Sequence, residues 1–405
     1  MKKARTILGP QWAEAARSGI PFIIYALVLV VGIMTFLSRP KRSVSMHYEA
    51  AAMQWLQSES LYSHSMENGH GFLYLPHAAI LHVPYAVVTQ VTGLSLAGDV
   101  VWRIISWALL AFAVWRMGQR IAPENRMVQW RVAAIVGMLG ISCLRIGQST
   151  MLMTALMLLT VDIWQAKKYA FAAALIALAV AVKPLSIVMA LLLFAISPPI
   201  RKPLLIACLV AIALPFCLQN PTYVWQQYRD CVVMLRVSAN MGSSFSGADL
   251  FGLLEAFGIT VGSGMQTATR VIAAFATLGV VWFSLRRIDP NRHAIWLFAW
   301  TAIYLMLFNP RSENSTYCMV APVFAYFVAE NVAVQKNFPV AYWLFALAVL
   351  TTGSYEIGRL ILAPEISTTW LAPLCCCLLT VSLVTRLFRL ESGATPVSWG
   401  QTSSV

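Results

Sequence analysis

Apolar runs dominate this sequence, and they restrict its possible folds more than any other feature. They follow one another from residue 20 to residue 387 with mostly short polar links. Apolar residues make up 59% of the chain and charged residues 11%, whereas soluble domains carry about 25% charged residues. In lipid, only helices or closed barrels satisfy every backbone polar group. The sequence therefore predicts an all-α integral membrane protein, one polytopic domain over residues 1–405 with about 12 transmembrane helices.

The charges in the polar links between the apolar runs predict how the chain is oriented in the membrane. The runs lie at about 20–38, 99–117, 131–146, 149–166, 169–183, 185–198, 203–219, 268–285, 294–308, 316–334, 339–355 and 368–387. An even number of spans places both termini on one side of the membrane. Basic residues concentrate in alternate links, and such links are usually cytoplasmic. We predict a multi-pass protein of the cell (plasma or inner) membrane, with cytoplasmic termini and residues 388–405 as a cytoplasmic tail.

Charge and cysteine content exclude several classes of function. The net charge is +13, but the basic residues are scattered between apolar runs, so we predict no nucleic-acid partner. The eight cysteines lack the spacing of a zinc site. Five of the six histidines lie between residues 47 and 82. A metal site, interfacial hydrogen bonds and acid–base chemistry are all open for them, and no HxxxH pair occurs. The sequence therefore indicates no metal and no other cofactor.

Two long links face outward in this topology, at residues 39–98 and 220–267. Links of such length are usually functional or disordered. The first has a helical pattern at 47–57 and an apolar segment at 78–92, which is short for a span and contains Pro84. We predict interfacial or re-entrant helices there. The second link has aromatic residues near the membrane and a Gly/Ser-rich stretch that predicts a flexible loop.

Unusual polar residues gather on the same outward face. Gln148 lies in a turn between two apolar runs, and Lys183 lies inside a nearly continuous apolar stretch. Arg311, Glu313 and Tyr317 share one short link. A polar turn, a snorkelling lysine and a local Arg–Glu pair would each explain one of these features. However, a charge at membrane depth is costly unless it faces a cavity or an anion. Their convergence on one face favours a site for a lipid-carried substrate.

Six short segments of the chain occur in a recognisable order. They are Tyr48-Glu-Ala-Ala51-Ala52, Leu61-Tyr62, Phe72-Leu-Tyr74-Leu-Pro76, Gly147-Gln148, Ala181-Val-Lys183-Pro184 and Pro310-Arg-Ser312. This ordered set resembles the polyprenyl-phosphate-mannose-dependent mannosyltransferases of glycosyltransferase family 87, over roughly residues 45–330. The resemblance implies a GT-C-type fold. It also implies transfer of a mannose-like hexose from a polyprenyl-phosphate donor to a lipid or glycan acceptor on the non-cytoplasmic face, with inversion.

The resemblance also implies roles for the residues of the outward face. The family usually has a catalytic Asp two residues before the first-loop tyrosine, where this chain has Met46. Glu49 and His47 are the neighbouring candidates for the base, and we favour Glu49 because the bases of the family are carboxylates. The remaining assignments concern substrate binding. They place Lys183 and Arg311 at the donor phosphate, Gln148, Tyr74 and Tyr317 at the sugar, and Glu313 in the same substrate site.

Two other functions fit part of this pattern. A transporter or flippase of a lipid-linked saccharide would also need polar residues among the spans, but transporters usually place them near the bilayer midplane and often contain repeats. A non-catalytic membrane subunit would explain the loss of the usual Asp at Met46. The concentration of acids, histidines and amides at one interface favours the enzyme.

Overall fold

Helices account for the regular structure of the computed structural model, which describes residues 10–68, 71–240, 247–309, 312–355, 357 and 364–389. Within these ranges the chain forms no β-strand. The α-helices are α1 (Pro10–Ser38), α2 (Ser45–Leu56), α3 (Ser63–Asn68), α4 (Pro76–Thr92), α5 (Ala97–Ile121), α6 (Arg126–Leu139), α7 (Ile141–Ile146), α8 (Thr150–Gln165), α9 (Tyr169–Val182), α10 (Ile187–Ile196), α11 (Pro198–Leu218), α12 (Pro221–Asn240), α13 (Leu250–Ala256), α14 (Ser263–Arg287), α15 (His293–Phe308), α16 (Ala321–Glu330), α17 (Phe338–Thr352) and α18 (Pro364–Arg389).

Several of these helices can cross a membrane. Six in the described part of the chain are long and apolar enough, and they cover Gly19–Ser38, Ala97–Ile121, Pro198–Leu218, Ser263–Arg287, Asn314–Gln335 and Trp370–Arg389. Four shorter apolar helices cover Thr150–Gln165, Tyr169–Val182, Pro184–Ile196 and Phe338–Thr352. These helices confirm the prediction of an all-helical, multi-pass membrane protein. The predicted number of 12 spans stays a prediction.

Two breaks place polar residues at helix ends. Gly147 ends α7 in the left-handed region, with a φ of 68°, which glycine adopts without a steric penalty. A Cβ there would lie 2.6 Å from a guanidinium nitrogen of Arg103. At the second break, Lys183 is extended between α9 and the 3₁₀ turn Pro184–Ser186, since a residue before proline disfavours the helical region. Gln148 and Lys183 therefore lie outside regular helix.

The predicted outward links are largely helical. Helix α2 packs on α4, and both contribute to a small apolar core separate from the main core of the bundle. Helix α12 lies in the second link and adds Val224, Cys231 and Met234 to this core. Much of the link predicted as a loop is thus an amphipathic helix that covers the first link. Most of the Gly/Ser-rich stretch lies outside the described residues.

Asp162, a buried carboxylate, forms ion pairs at the end of α8 that lies farthest from Gln148. Near the end of α8, Asp162 is 1% exposed and pairs with Arg116, at 3.1 Å, and with Arg120, both of α5. The Gln165 side chain donates a hydrogen bond to the Pro290 carbonyl over 2.9 Å. These contacts place the end of α5, the end of α8 and the start of α15 on one face. Because α8 begins beside Gln148, this face lies opposite the predicted site.

A second cluster of ion pairs lies on the same face, between the end of α16, the start of α15 and the end of α18. Glu330, at the end of α16, is 1% exposed. One carboxylate oxygen accepts a hydrogen bond from Arg292 at 2.7 Å, and the other lies 2.5 Å from Arg386 of α18 in an ionic contact. The two clusters join the helices at this face. Which face is cytoplasmic stays a prediction.

Gly98 sets the closest approach of α4 and α5. A Cβ at this position would lie 2.1 Å from the backbone carbonyl oxygen of Tyr85, so the Gly98→Ala variant must force the two helices apart. We expect a loss of about 3 kcal/mol of stability, measured as a lower thermal unfolding midpoint in detergent. The matched control is Gly279→Ala in α14, where no atom lies within 4 Å of the added methyl. An unchanged midpoint for Gly98→Ala would contradict this packing.

Candidate active site

Gln148 is the centre of a hydrogen-bond network at the start of α8. Its Nε2 donates to Oε2 of Glu313 at 2.8 Å. Its Oε1 accepts from the hydroxyls of Thr150, at 3.1 Å, and Ser315, at 3.0 Å. The Gln148 side chain is buried, whereas Glu313 is exposed. The structure thus brings the predicted residues Gln148 and Glu313 into direct contact although they are far apart in sequence.

Lys183 joins the buried end of the same network. Its ammonium donates to Oγ1 of Thr150 at 2.7 Å, and the residue is 9% exposed. Within the described parts of the chain, no Asp or Glu forms a salt bridge with Lys183. The hydrogen bonds run in one direction, from Lys183 through Thr150 and Gln148 to Glu313. A desolvated cation whose partner is a neutral hydroxyl can accept an anion as a further partner.

Tyr48 and Tyr74 connect the first link to this network. Their hydroxyl oxygens lie 2.9 Å apart, and the rings meet edge to face. The Tyr48 hydroxyl also donates to Oγ of Ser149 and accepts from its backbone N–H, both at 3.4 Å. Tyr48 is buried and Tyr74 is half-buried. The contact places Tyr48 of α2, the helix that also carries Glu49, beside the start of α8.

Glu49 and His47, the candidates for the base, lie on α2. His47 is exposed and Glu49 is half-buried. Burial raises the pKa of the Glu49 carboxyl above its ordinary value, and the negative charge of Asp99 raises it further, whereas a hydrogen bond with the Thr89 side chain lowers it. A carboxylate with a raised pKa is a stronger base near neutral pH. This environment favours Glu49 over His47 as a proton acceptor.

Asp99 and Arg103, in the first turns of α5, were not identified from the sequence. Asp99 is 4% exposed and Arg103 is 1% exposed. The Arg103 guanidinium donates to the hydroxyls of Ser43, at 2.7 Å, and Ser45, at 3.2 Å, and lies 3.6 Å above the Phe36 ring. The signal was present, because a charge inside an apolar run is as unusual here as it is at Lys183.

Tyr317 lies outside the hydrogen-bond network around Gln148. The Tyr317 side chain is fully buried, and its hydroxyl donates to the backbone carbonyls of Ala248, at 2.8 Å, and Met306, at 3.3 Å. The sequence prediction placed it at the sugar, but these contacts support the segment that carries Glu313. Arg311 lies outside the described residues, and its predicted role in phosphate binding stays a prediction.

His77 and His82, two of the five histidines between residues 47 and 82, bind different backbone carbonyls. His77 binds the Ala211 carbonyl through Nε2, and His82 binds the Ala78 carbonyl through Nδ1, each at 2.7 Å. His70 lies outside the described residues. Among the residues that the structure describes, no group of three or more His, Cys, Asp or Glu side chains could hold a metal ion.

An apolar groove lies between α4, α9 and α11. Its volume is about 530 Å³, which is within the range of small-molecule sites. Alanines form much of one wall, on α9, where Ala170, Ala174, Ala177 and Ala181 recur on one face. Ala181 precedes Lys183 by two residues, so the groove extends along α9 to the helix end at which the buried ammonium lies.

One comparison with known proteins identifies the family. A model of glycosyltransferase family 87 matches residues 72–310, which is more than half of the 405 residues. No curated protein matches the chain significantly. The matched segment contains Tyr74, Gln148 and Lys183, whereas Glu49 precedes it. The extent of this match and the all-helical membrane architecture together show that the chain belongs to glycosyltransferase family 87.

Proposed function

We propose that this glycosyltransferase takes its sugar from a polyprenyl-phosphate donor and transfers it to a hydroxyl of a lipid or glycan acceptor. The observation that carries the proposal is Lys183, a buried ammonium with Thr150 as its hydrogen-bond partner and no acidic partner among the described residues. The leaving group of such a donor is a phosphate, which an ammonium binds as a point charge. During transfer, negative charge develops on the phosphate. The Lys183 ammonium would stabilise this charge more strongly in the transition state than in the ground state, as catalysis requires.

The groove along α9 supports a donor that is carried on a lipid. An apolar chain in this groove would extend to Ala181, close to the phosphate at Lys183. The sugar would then lie toward Gln148, Glu313 and Tyr74, whose amide, carboxylate and hydroxyl groups suit the hydroxyls of a mannose-like hexose. These residues belong to a GT-C-type site in this proposal.

Glu49 takes the role of general base in the proposed reaction. Its carboxylate removes the proton of the acceptor hydroxyl, and the acceptor oxygen attacks the anomeric carbon. A new glycosidic bond forms while the bond from the anomeric carbon to the phosphate oxygen breaks, with inversion at that carbon. The bonding electrons leave with the polyprenyl phosphate, whose negative charge faces Lys183. The proton on Glu49 then passes to water.

The proposed reaction takes place on the non-cytoplasmic face of the cell membrane. Helix α2, Gln148 and Lys183 lie at the end of the bundle opposite the two ion clusters of Asp162 and Glu330. The basic residues of the ion-cluster face support its assignment to the cytoplasm. Both termini would then be cytoplasmic.

A transfer assay with purified protein tests the proposal. The protein in proteoliposomes receives polyprenyl-phosphate mannose, radiolabelled in the sugar, and a membrane lipid extract as acceptor. We expect labelled product together with an equal amount of free polyprenyl phosphate, and no product from a nucleotide-linked mannose. Movement of unchanged donor between leaflets would instead indicate a transporter. Donor binding without turnover would indicate a non-catalytic subunit.

A further inference from the structure

Three exposed cations in the link between α1 and α2 have no role in the reaction proposed above. They are Arg39, Lys41 and Arg42, and together they form the basic cluster. In the described part of the chain, no Asp or Glu side chain forms a salt bridge with any of them. The predicted topology places this link outside the cytoplasm, where basic residues are usually depleted. Membrane orientation therefore does not explain why three cations occur there.

Backbone hydrogen bonds give the basic cluster a defined shape. Residues Pro40–Arg42 form a 3₁₀ turn, and the backbone N–H of Arg42 donates to the Arg39 carbonyl at 3.1 Å. Proline stiffens this turn because its ring fixes φ. The next residue, Ser43, is anchored to the bundle by the buried Arg103 guanidinium, which donates to its hydroxyl at 2.7 Å. Binding of a ligand to the basic cluster therefore costs less backbone entropy than binding to a flexible loop would.

An exposed apolar stripe of α1 leads to the basic cluster. Its members recur at alternating spacings of four and three residues, which places them on one face of the helix. They are Ile23, Leu27, Val30, Met34 and Leu37. At 1.5 Å per residue the stripe is about 21 Å long, which exceeds the roughly 15 Å of hydrocarbon in one leaflet. Because α1 is a candidate span, lipid chains along this stripe would have their headgroups beside the basic cluster.

The basic cluster lies at the same end of the bundle as the candidate active site. The backbone N–H of Val44 donates to the Ile146 carbonyl at 3.0 Å, and the Ser43 hydroxyl donates to the same carbonyl at 3.3 Å. Ile146 precedes Gln148 by two residues. The cations are exposed on the surface of this end, whereas Gln148 and Lys183 are buried. The basic cluster is therefore a surface feature separate from the hydrogen-bond network around Gln148.

We propose that the basic cluster binds the phosphate of an anionic phospholipid whose acyl chains lie along the apolar stripe of α1. An arginine binds phosphate oxygens through paired N–H donors, and a lysine binds them as a point charge. Basic segments next to a span attract anionic lipids. A phosphatidylcholine headgroup carries a cation of its own, which the three cations repel, so charge selects the anionic lipid. This interaction goes beyond the proposed function and depends on neither the sugar donor nor Glu49.

Photoreactive lipids test the proposal with the full chain in proteoliposomes. Phosphatidylglycerol and phosphatidylcholine with the same diazirine-labelled acyl chains are mixed in equal amounts, and mass spectrometry maps their adducts after irradiation. We expect phosphatidylglycerol adducts on the stripe of α1 to exceed phosphatidylcholine adducts by at least about fivefold. The internal comparison is the start of α14, where Met265 and Ile272 are exposed and residues 259–269 carry no charge. The two lipids should react equally there.

Removal of the charges should abolish the lipid preference on α1. In the triple variant Arg39→Gln/Lys41→Gln/Arg42→Gln the ratio of the two adducts should fall to about one, with an unchanged thermal unfolding midpoint because the three side chains are exposed. The matched control is Lys167→Gln/Lys168→Gln, which removes two exposed cations between α8 and α9 and should leave the ratio on α1 unchanged.

Two results would overturn the proposal. One is an adduct ratio on α1 that is the same in wild type and in the triple variant. The other is displacement of the phosphatidylglycerol adducts by inorganic phosphate at an ionic strength matched with chloride, which would assign the basic cluster to a soluble anion. Since the assay contains no sugar donor, neither result depends on whether the protein transfers a sugar.

Discussion

Replacement of Lys183 by methionine is expected to lower kcat for transfer from the polyprenyl-phosphate donor by about two to three orders of magnitude. Methionine keeps an unbranched chain of similar length but removes the charge that, in the proposed reaction, faces the leaving phosphate. Because Lys183 has no acidic partner among the described residues, its removal leaves no buried counter-charge. We therefore expect the thermal unfolding midpoint to stay the same or to rise, since the desolvation cost of the ammonium disappears. Initial rates and thermal unfolding in detergent measure the two effects.

The Lys183 prediction has two comparison variants. Lys183→Arg retains the charge in a larger group and should retain part of the activity. Lys168→Met removes an exposed lysine at the opposite end of α9 and should leave transfer unchanged. Wild-type kinetics in Lys183→Met would contradict the assignment of the phosphate to this residue. A parallel loss of activity and stability would instead assign Lys183 to the fold.

Replacement of Glu49 by glutamine is expected to lower kcat by about two to four orders of magnitude, the usual contribution of a general base. Glutamine keeps the size of the side chain but cannot accept the acceptor proton. The exposed His47 lies on the same helix, and His47→Gln should retain most of the activity. The double variant should be no worse than Glu49→Gln, because one group performs the step.

Initial rates and pH profiles of Glu49→Gln, His47→Gln and the double variant measure the effects on transfer. The matched control is Glu59→Gln, an exposed glutamate of the same link, which should behave as wild type. Full activity in the double variant would contradict the assignment of the base to α2. Loss of activity only in His47→Gln would move the base to the imidazole.

The sequence could predict the helices and part of the site, because both depend on local patterns. The apolar runs coincide with helices, and the polar residues that interrupt them, Gln148 and Lys183, lie in one hydrogen-bond network with Glu313. Burial of a polar group in lipid is costly, so an isolated polar residue in an apolar run already indicates a cavity or a partner. That reasoning needs no three-dimensional information.

Contacts between distant segments could not be predicted in the same way. Tyr317 resembled a ligand-binding residue in sequence, and only the positions of Ala248 and Met306 show that its hydroxyl binds backbone carbonyls. Arg103 could have been noticed as a charge within an apolar run, but its hydrogen bond to Ser45 depends on how α5 packs against α2. The buried residues of α12 recur at helical spacing, although the length of this link and its Gly/Ser-rich stretch suggested a loop.

The ion clusters of Asp162 and Glu330 have a consequence for the path of the substrates. Both join helix ends on the face opposite Lys183, and both acids are 1% exposed. Separation of those helices would leave the buried carboxylates of Asp162 and Glu330 without their arginine partners, which is unfavourable. That end of the bundle should therefore stay shut throughout the catalytic cycle. In the proposed reaction, donor, acceptor and both products would then enter and leave at the end of the bundle where Lys183 lies, and no sugar would be carried from one side of the bilayer to the other.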